Sequence, residues 1–166
     1  MTDWPDIERP AGTPQWAQEH RALYLRSGGT KGHMMDLTGA GGHRFGTNLL
    51  LRYMGRKSGK TMITGLSYAD IGGEVVICAS KGGSDDHPLW YLNILASETV
   101  DFQIATQAFR ATWREPEGEE REKVWNLMAD CHPFYSGYQD RTERQIPLVM
   151  MKAVEPLDVF SEDDID

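Results

Sequence analysis

The sequence predicts a mainly β domain with helices, α+β in class. The expected architecture is a small closed or split β-barrel of about six mostly antiparallel strands with about three flanking helices. Three observations predict it. Short apolar or alternating runs follow one another from residue 48 to residue 116, with a single helical pattern between them. Gly72-Gly73 sits between two such runs as a hairpin turn. No G-x-G-x-x-G follows a strand, so nothing points to a parallel dinucleotide-binding sheet.

The elements can be justified in order. Residues 1–12 read as an irregular arm. Thr13-Pro14 has the form of a helix start, with Thr at the cap and Pro at the first helical position. That helix should run to about Ser27 and stop at Gly28-Gly29. Residues 28–47 contain seven glycines and few large apolar residues, the composition of a long functional loop. "NLLLRYM" (48–54), "TMITGLSYAD" (61–70) and "EVVICAS" (74–80) read as strands. "HPLWYLNILAS" (87–97) reads as a helix with Pro88 in its first turn. "TVDFQIATQ" (99–107) and "AFRATWREP" (108–116) read as two more strands, the first with Val100, Phe102 and Ile104 alternating with polar residues. "GEEREKVWNLMADC" (118–131) is an amphipathic helix, acidic at its start. "PFYSGYQDRTERQ" is polar and aromatic, and "IPLVMMKAVE" (146–155) closes as a strand. The expected organisation is an N-terminal arm, helix and glycine-rich loop (1–47), a barrel (48–155) and an acidic tail (156–166), the tail solvated and partly disordered.

The totals narrow the function. At 166 residues and 40% hydrophobic, the chain can bury a core. No apolar run approaches a membrane span, and the acidic start "MTDWPDIERP" has no apolar h-region. Cys78 and Cys131 form no CxxC and read as reduced thiols, which gives a cytoplasmic expectation. The net charge of −8 argues against nucleic acid as a partner. The charge is uneven, however. Residues 37–69 contain no Asp or Glu and carry Arg44, Arg52, Arg56, Lys57 and Lys60.

Those cations converge on "YMGRKSGKTM" (53–62), which looks like a P-loop with a residue missing. Gly55 and Gly59 are separated by three residues where G-x-x-x-x-G-K-[ST] requires four. A P-loop must also open a helix, whereas β-type sequence follows Thr61. The stretch is therefore a basic hairpin turn. Arg56, Lys57, Ser58, Gly59 and Lys60 form either a solvated tip or an anion clamp, and the 33-residue acid-free stretch favours the clamp. In "ASKGGSDDHPLWYLN" (79–93), Gly82 and Gly83 free the backbone to meet a flat polar ring and Lys81 adds a cation. The alternative there is a plain strand-to-helix turn. In "CHPFYSGYQDRTER" (131–144), Phe134, Tyr135 and Tyr138 either line a pocket for a flat substrate or cap the barrel. The five histidines show no H-x-H, HExxH or i,i+4 pair, so no metal site is expected.

Taken together and in order, "GRKSGK", "ASKGGSDDHPLWYLN", "VDFQI", "FRATWREPEGEER" and "YSGYQDRTERQIPLVMM" resemble the deazaflavin-dependent nitroreductases. These are split-β-barrel proteins of actinobacteria and relatives that use coenzyme F420. The resemblance covers roughly residues 48–152. It implies that Arg56, Lys57, Ser58, Gly59 and Lys60 grip the phosphate and oligoglutamate tail of the cofactor. Ala79, Ser80, Lys81, Gly82 and Gly83 would bind the deazaflavin ring edge and ribityl chain, with His87, Trp90 and Asn93 on the helix beside it. Tyr68, Ser80, Tyr135 and Tyr138 fall at substrate-pocket positions, where a hydroxyl would polarise or protonate the acceptor. The implied reaction is hydride transfer to a flat, electron-poor acceptor: a quinone, an enone or a nitroaromatic compound. Two departures touch the substrate side. His132 replaces the first tyrosine of a Tyr-x-x-Tyr-x-x-Tyr run, and Gly65 follows Thr64 where Thr-x-Pro-Leu is common.

Two other classes compete with this reading. One is a non-catalytic carrier of a lipid or flavin-like ligand on the same barrel; the other is an FMN-dependent reductase. The basic clamp is oversized for a single phosphate and unnecessary for a fatty acid. The expected partners are a small-molecule acceptor and no nucleic acid, with membrane contact open, and the chain acts as a monomer or homodimer.

Overall fold

The computed structural model describes residues 15–165. The expected arm and the Thr13-Pro14 helix start lie outside them. Helix α1 (Gln15–Arg26) is followed by strand β1 (Met34–Met35), then β2 (Gly46–Met54), β3 (Thr61–Ser67), β4 (Ala69–Ile71) and β5 (Glu74–Cys78). Helix α2 (Leu89–Ile94) precedes β6 (Thr99–Ile104) and β7 (Gln107–Arg114). Helices α3 (Gly118–Cys131) and α4 (Phe134–Asp140) and strand β8 (Leu148–Leu157) complete the order.

The strands hydrogen-bond in the order β2-β6-β7-β8-β5-β4, every pair antiparallel. β3 pairs with β2 at one end of this series, while β4 pairs with β5 at the other. Because β3 and β4 are one run broken only at Tyr68, that run joins both ends of the sheet. Counted this way the barrel has the six strands the sequence implied, with β1 a two-residue addition to β2. The break is held by hydrogen bonds. Tyr68 N–H donates to Thr47 O (3.3 Å), and Thr47 Oγ1 donates to Tyr68 O (3.0 Å).

Alternation along β2 sorts the core. Leu49 and Leu51 enter the barrel interior with Ile77, Phe102 and Met151, all buried. Leu50 faces the other way, packing with Tyr24 of α1, Ile63 and Phe160. A third cluster lies beneath α3 and α4, where Val124, Met128 and Tyr135 cover Val76 and Met150. Tyr24 ties α1 to the sheet: its hydroxyl donates to Asn48 O (3.1 Å) or Gln103 O (3.2 Å) and accepts from Ala105 N–H (2.7 Å).

Three expectations need correction. α2 is shorter than "HPLWYLNILAS", starting at Leu89 because Pro88 is extended. The polar-aromatic stretch after residue 131 contains a helix, α4, whose apolar face is aromatic rather than aliphatic and so gave no aliphatic period. The acidic tail is docked rather than loose. Phe160 is 1% exposed and its N–H donates to Gln103 Oε1 (2.7 Å). Arg52 stacks on the Phe160 ring at 4.2 Å while pairing with Asp164 (2.8 Å) and Asp101 (2.8 Å). Arg26 pairs with Glu162 (2.7 Å).

Phe160 is thus a core residue at the edge of the chain. Phe160→Ala should lower unfolding free energy by about 3 kcal/mol, whereas Asp158→Ala, on an exposed site, should change it by under about 0.5 kcal/mol. Urea denaturation of the two variants checks this.

Candidate active site

The open side of β3 defines the site. β3 hydrogen-bonds β2 alone, and against its other side lies a groove of about 540 Å³. Met62, Thr64 and Leu66 of β3 line one wall. Trp16, His20 and Arg21 of α1 line another. Lys81, Pro88 and Trp90, with Phe134 and Tyr138 of α4, close the rest. A larger hollow of about 770 Å³ against α3 contains none of the residues expected from the sequence.

The β2–β3 hairpin borders the groove through Tyr53 and Met62. Its turn is closed by Gly55 N–H to Lys60 O (2.8 Å) and Gly59 N–H to Gly55 O (2.8 Å). Ser58 Oγ faces inward and accepts from Lys60 N–H (3.2 Å). Asn93 of α2, buried, accepts from Arg56 N–H (3.0 Å) and Arg56 Nη1 (2.8 Å) through one oxygen. Asn93 therefore fixes the hairpin to α2. Among the described residues Arg26, Arg52, Arg110 and Arg114 form the ion pairs; Arg56, Lys57 and Lys60, three cations within one turn, and Lys81 are among the cations that form none. In an acidic chain, cations left without carboxylates at one place are available to an external anion.

The loop after β5 forms the opposite shoulder. Lys81, Gly82 and Gly83 have φ of +46°, +63° and +84°. A non-glycine residue in this region carries strain, which gathers at functional sites. A Cβ on Gly82, an exposed residue, would meet nothing within 4 Å; one on Gly83 would lie 2.5 Å from Tyr138 O. Gly83 thus packs on α4 and does not face the groove. Ala79 and Ser80 are buried behind the turn. The loop hangs on Arg144, a residue to which no role fell from the sequence. Its guanidinium donates to Ala79 O (3.2 Å), Ser80 O (2.8 Å), Ser84 O (2.7 Å) and His87 Nδ1 (3.1 Å). His87 Nδ1 is the acceptor of that contact, which directs the ring at Arg144. Trp90 is buried and forms groove wall.

The hydroxyl candidates separate. Tyr138 lines the groove, with Arg141 5.5 Å from its ring centroid. Tyr135 is 4% exposed, lies in the α3–α4 core and hydrogen-bonds Ser67; burial raises its pKa. Tyr68 is buried with His33 Nε2 2.6 Å from its hydroxyl, and burial pushes its pKa up to about 12. Tyr135, Tyr68 and Ser80 are absent from the groove lining, and of the four only Tyr138 is on it. His132 is 1% exposed, and its Nε2 lies 2.8 Å from Tyr68 O. A carbonyl only accepts, so Nε2 carries hydrogen and the ring braces the β3–β4 break. Gly65 leaves room for His20: a Cβ there would lie 3.2 Å from His20 Nδ1.

Comparison with known proteins decides the family. The pattern defining the F420H(2)-dependent quinone reductases matches residues 16–153. The chain belongs to that family. It is 32% identical over 148 residues to an F420H(2)-dependent quinone reductase of Mycobacterium tuberculosis, covering 87% of this chain and 94% of the relative. A solved F420-H2 dependent reductase (FDR-A) superposes with a TM-score of 0.59 at 39% identity, over 63% of this chain and 93% of that one. A structure described as a domain-swapped dimer superposes at 0.62 with 34% identity, over 82% and 97%. A haem-binding protein of Mycobacterium smegmatis shares the fold at a TM-score of 0.54 and 12% identity, over 89% and 53%. The split barrel is therefore observed as expected, the cofactor is F420, and the activity is F420H2-dependent oxidoreduction. The carrier and FMN readings are set aside. The family found is named for quinones, not for nitro compounds.

The buried histidines give a pH prediction. Burial lowers the pKa of His132 and His20 below 6.5, and each donates Nε2–H to a carbonyl, Tyr68 O or Gly32 O. Between those lowered values and 6.5 the unfolded chain binds more protons, so stability must fall as pH drops below about 6.5. The denaturation midpoint should drop more from pH 7.5 to pH 5.5 in wild type than in His132→Gln, which keeps an N–H donor without a titrating ring.

Proposed function

We propose that this chain reduces a quinone in the β3 groove, with enones and nitroaromatic compounds as further acceptors of the same flat, electron-poor class. The carrying observation is a groove with apolar walls that Lys81 lines and that the hairpin bearing Arg56, Lys57 and Lys60 borders through Tyr53 and Met62, none of the four cations being ion-paired among the described residues. A flat ring and a polyanionic tail match that pair of surfaces. Arg56, Lys57 and Lys60 would hold the phosphate and glutamate carboxylates of F420. Ser58 supports the turn, and Gly59 closes it.

Lys81 and Gly82 would face the polar edge of the ring, with Arg144 holding their loop through the carbonyls of Ala79 and Ser80. Trp90, Leu66 and Met62 would exclude water from its face. When bound, reduced F420 supplies a hydride from C5; the acceptor takes that hydride and one proton, so two electrons move in all. Tyr138 would donate a hydrogen bond to the acceptor oxygen, which becomes more basic as the hydride arrives. Tyr135, Tyr68 and Ser80 support that wall from behind, and Asn93 and His87 position the hairpin and the turn.

Trp16 and Leu89, exposed at the groove mouth, would pack against the apolar ring system of the acceptor. Among the described residues no helix is long and apolar enough to cross a membrane, so any membrane contact is peripheral in this proposal. The free thiols of Cys78 and Cys131 fit a reducing cytoplasm. The functional unit is a monomer or homodimer.

Steady-state oxidation of F420H2 by menadione tests the assignment. Tyr138→Phe should lower kcat/KM for menadione by about 10–100-fold, the value of one hydrogen bond to a developing charge. Tyr135→Phe should leave kcat/KM within about threefold while lowering thermal stability, because its buried hydroxyl bonds Ser67 of β3 and does not itself line the groove. Absence of any F420H2 oxidation, with intact fold, would overturn the reading. Lys57→Ala/Lys60→Ala should raise KM for F420H2 by about tenfold or more with little change in kcat.

A further inference from the structure

One charged group in the groove is not used by the cofactor clamp. Arg21 of α1 is 7% exposed, yet it lines the groove. Its Nη1 donates to Ile63 O (3.0 Å), and its Nε is buried with no partner among the described residues. Among the described residues no carboxylate pairs with it. Glu162, which acts on it at longer range, is hydrogen-bonded to Arg26 at 2.7 and 3.1 Å. A buried guanidinium keeps its charge and costs free energy unless an anion or acceptor completes its donors. Arg21 sits beside His20, which donates Nε2–H to Gly32 O (2.7 Å) and points Nδ1 toward Gly65 of β3. Besides Glu162, the groups acting on Arg21 are the phenol of Tyr53 and the backbone of β3 that its Nη1 contacts, neither anionic at neutral pH. Arg21 and His20 belong to α1, a different element from the hairpin turn at 55–60 and the turn at 81–83.

We infer that the α1 end of the groove is an anion subsite, with Arg21 as its fixed cation, that selects acceptors carrying a carboxylate. This rests on the reductase reading for its substrate class, while the subsite itself stands on geometry. An acceptor lying flat against β3 would place its reducible ring toward Tyr138 and its carboxylate at Arg21. Gly65 opens the wall at His20, where a side chain would fill it. The preferred class is a quinone with an anionic side chain.

The test uses a 1,4-naphthoquinone bearing a propionate side chain and its methyl ester, a pair with matched ring chemistry. With F420H2 saturating, wild type should show kcat/KM for the acid about tenfold or more above the ester. Arg21→Gln should bring the acid-to-ester ratio of kcat/KM down to about one. Arg21→Lys, which keeps a cation, should retain part of the preference. Binding of acid and ester to the cofactor-free protein, read by tryptophan fluorescence, supplies a second readout. The acid preference there should persist in Arg56→Ala/Lys57→Ala and vanish in Arg21→Gln. If neither compound is reduced but Arg21-dependent acid binding is seen, the subsite stands and the reductase reading falls. Equal acid and ester values in wild type, a preference that survives Arg21→Gln, or loss of F420 affinity in Arg21→Gln with the preference intact would each overturn the inference. Because the wild-type ratio is itself decisive, misfolding of a variant does not shield it.

Discussion

The structure depends on one break in one strand. The run from Thr61 to Ile71 hydrogen-bonds β2 with its first half and β5 with its second, and changes partner at Tyr68. This joins the ends of the sheet. It also leaves β3 bonded on one side only, and the groove opens there. Backbone polar groups at such a break must find partners elsewhere. Here Thr47 takes the N–H of Tyr68, while Thr47 Oγ1 and His132 Nε2 share its carbonyl. Helix packing and barrel closure are therefore coupled at one residue, because His132 ends α3.

Charge is distributed by the same economy. Arg52 lies in the acid-free stretch, but Asp101 and Asp164 neutralise it and Phe160 stacks on it, so it belongs to the tail's docking. The cations of the hairpin and Lys81 are left without such partners. Solvent-exposed ion pairs contribute little to stability, so omitting them costs the fold little and leaves the field intact for a polyanion. Arg144 has a different task. It spreads its donors over three carbonyls and one imidazole, and so sets the shape of the turn that carries Lys81 and Gly82.

Much of this was legible in the sequence because it depends on local rules. Alternation at Val100, Phe102 and Ile104, the glycine turn at 72–73 and the acid-free run each point to their structural counterpart without tertiary knowledge. Four features were not legible, and each depends on a long-range contact. The break at Tyr68 is set by Thr47 and His132, distant in sequence. The docking of Phe160 needs Gln103 and Arg52 in place, so the tail's charge masked one buried ring. The separation of Tyr138 from Tyr135 depends on which face of α4 meets the core, and a seven-residue helix with aromatics on both faces carries too little period to show it. Arg21 was hidden for a similar reason: nothing in "QEHRALY" marks an arginine that will be buried.

The central claim is that a hairpin without carboxylates grips the anionic tail of the cofactor while the groove takes its ring. The most direct measurement compares equilibrium affinities of F420 and of the same deazaflavin lacking the phosphate and glutamates, at low and high ionic strength. The account predicts that F420 binds far more tightly at low salt, that its advantage shrinks as salt rises, and that the tail-less compound shows almost no salt dependence. Equal affinities with equal salt dependence would contradict it, because the cations of the hairpin would then contribute nothing to recognition.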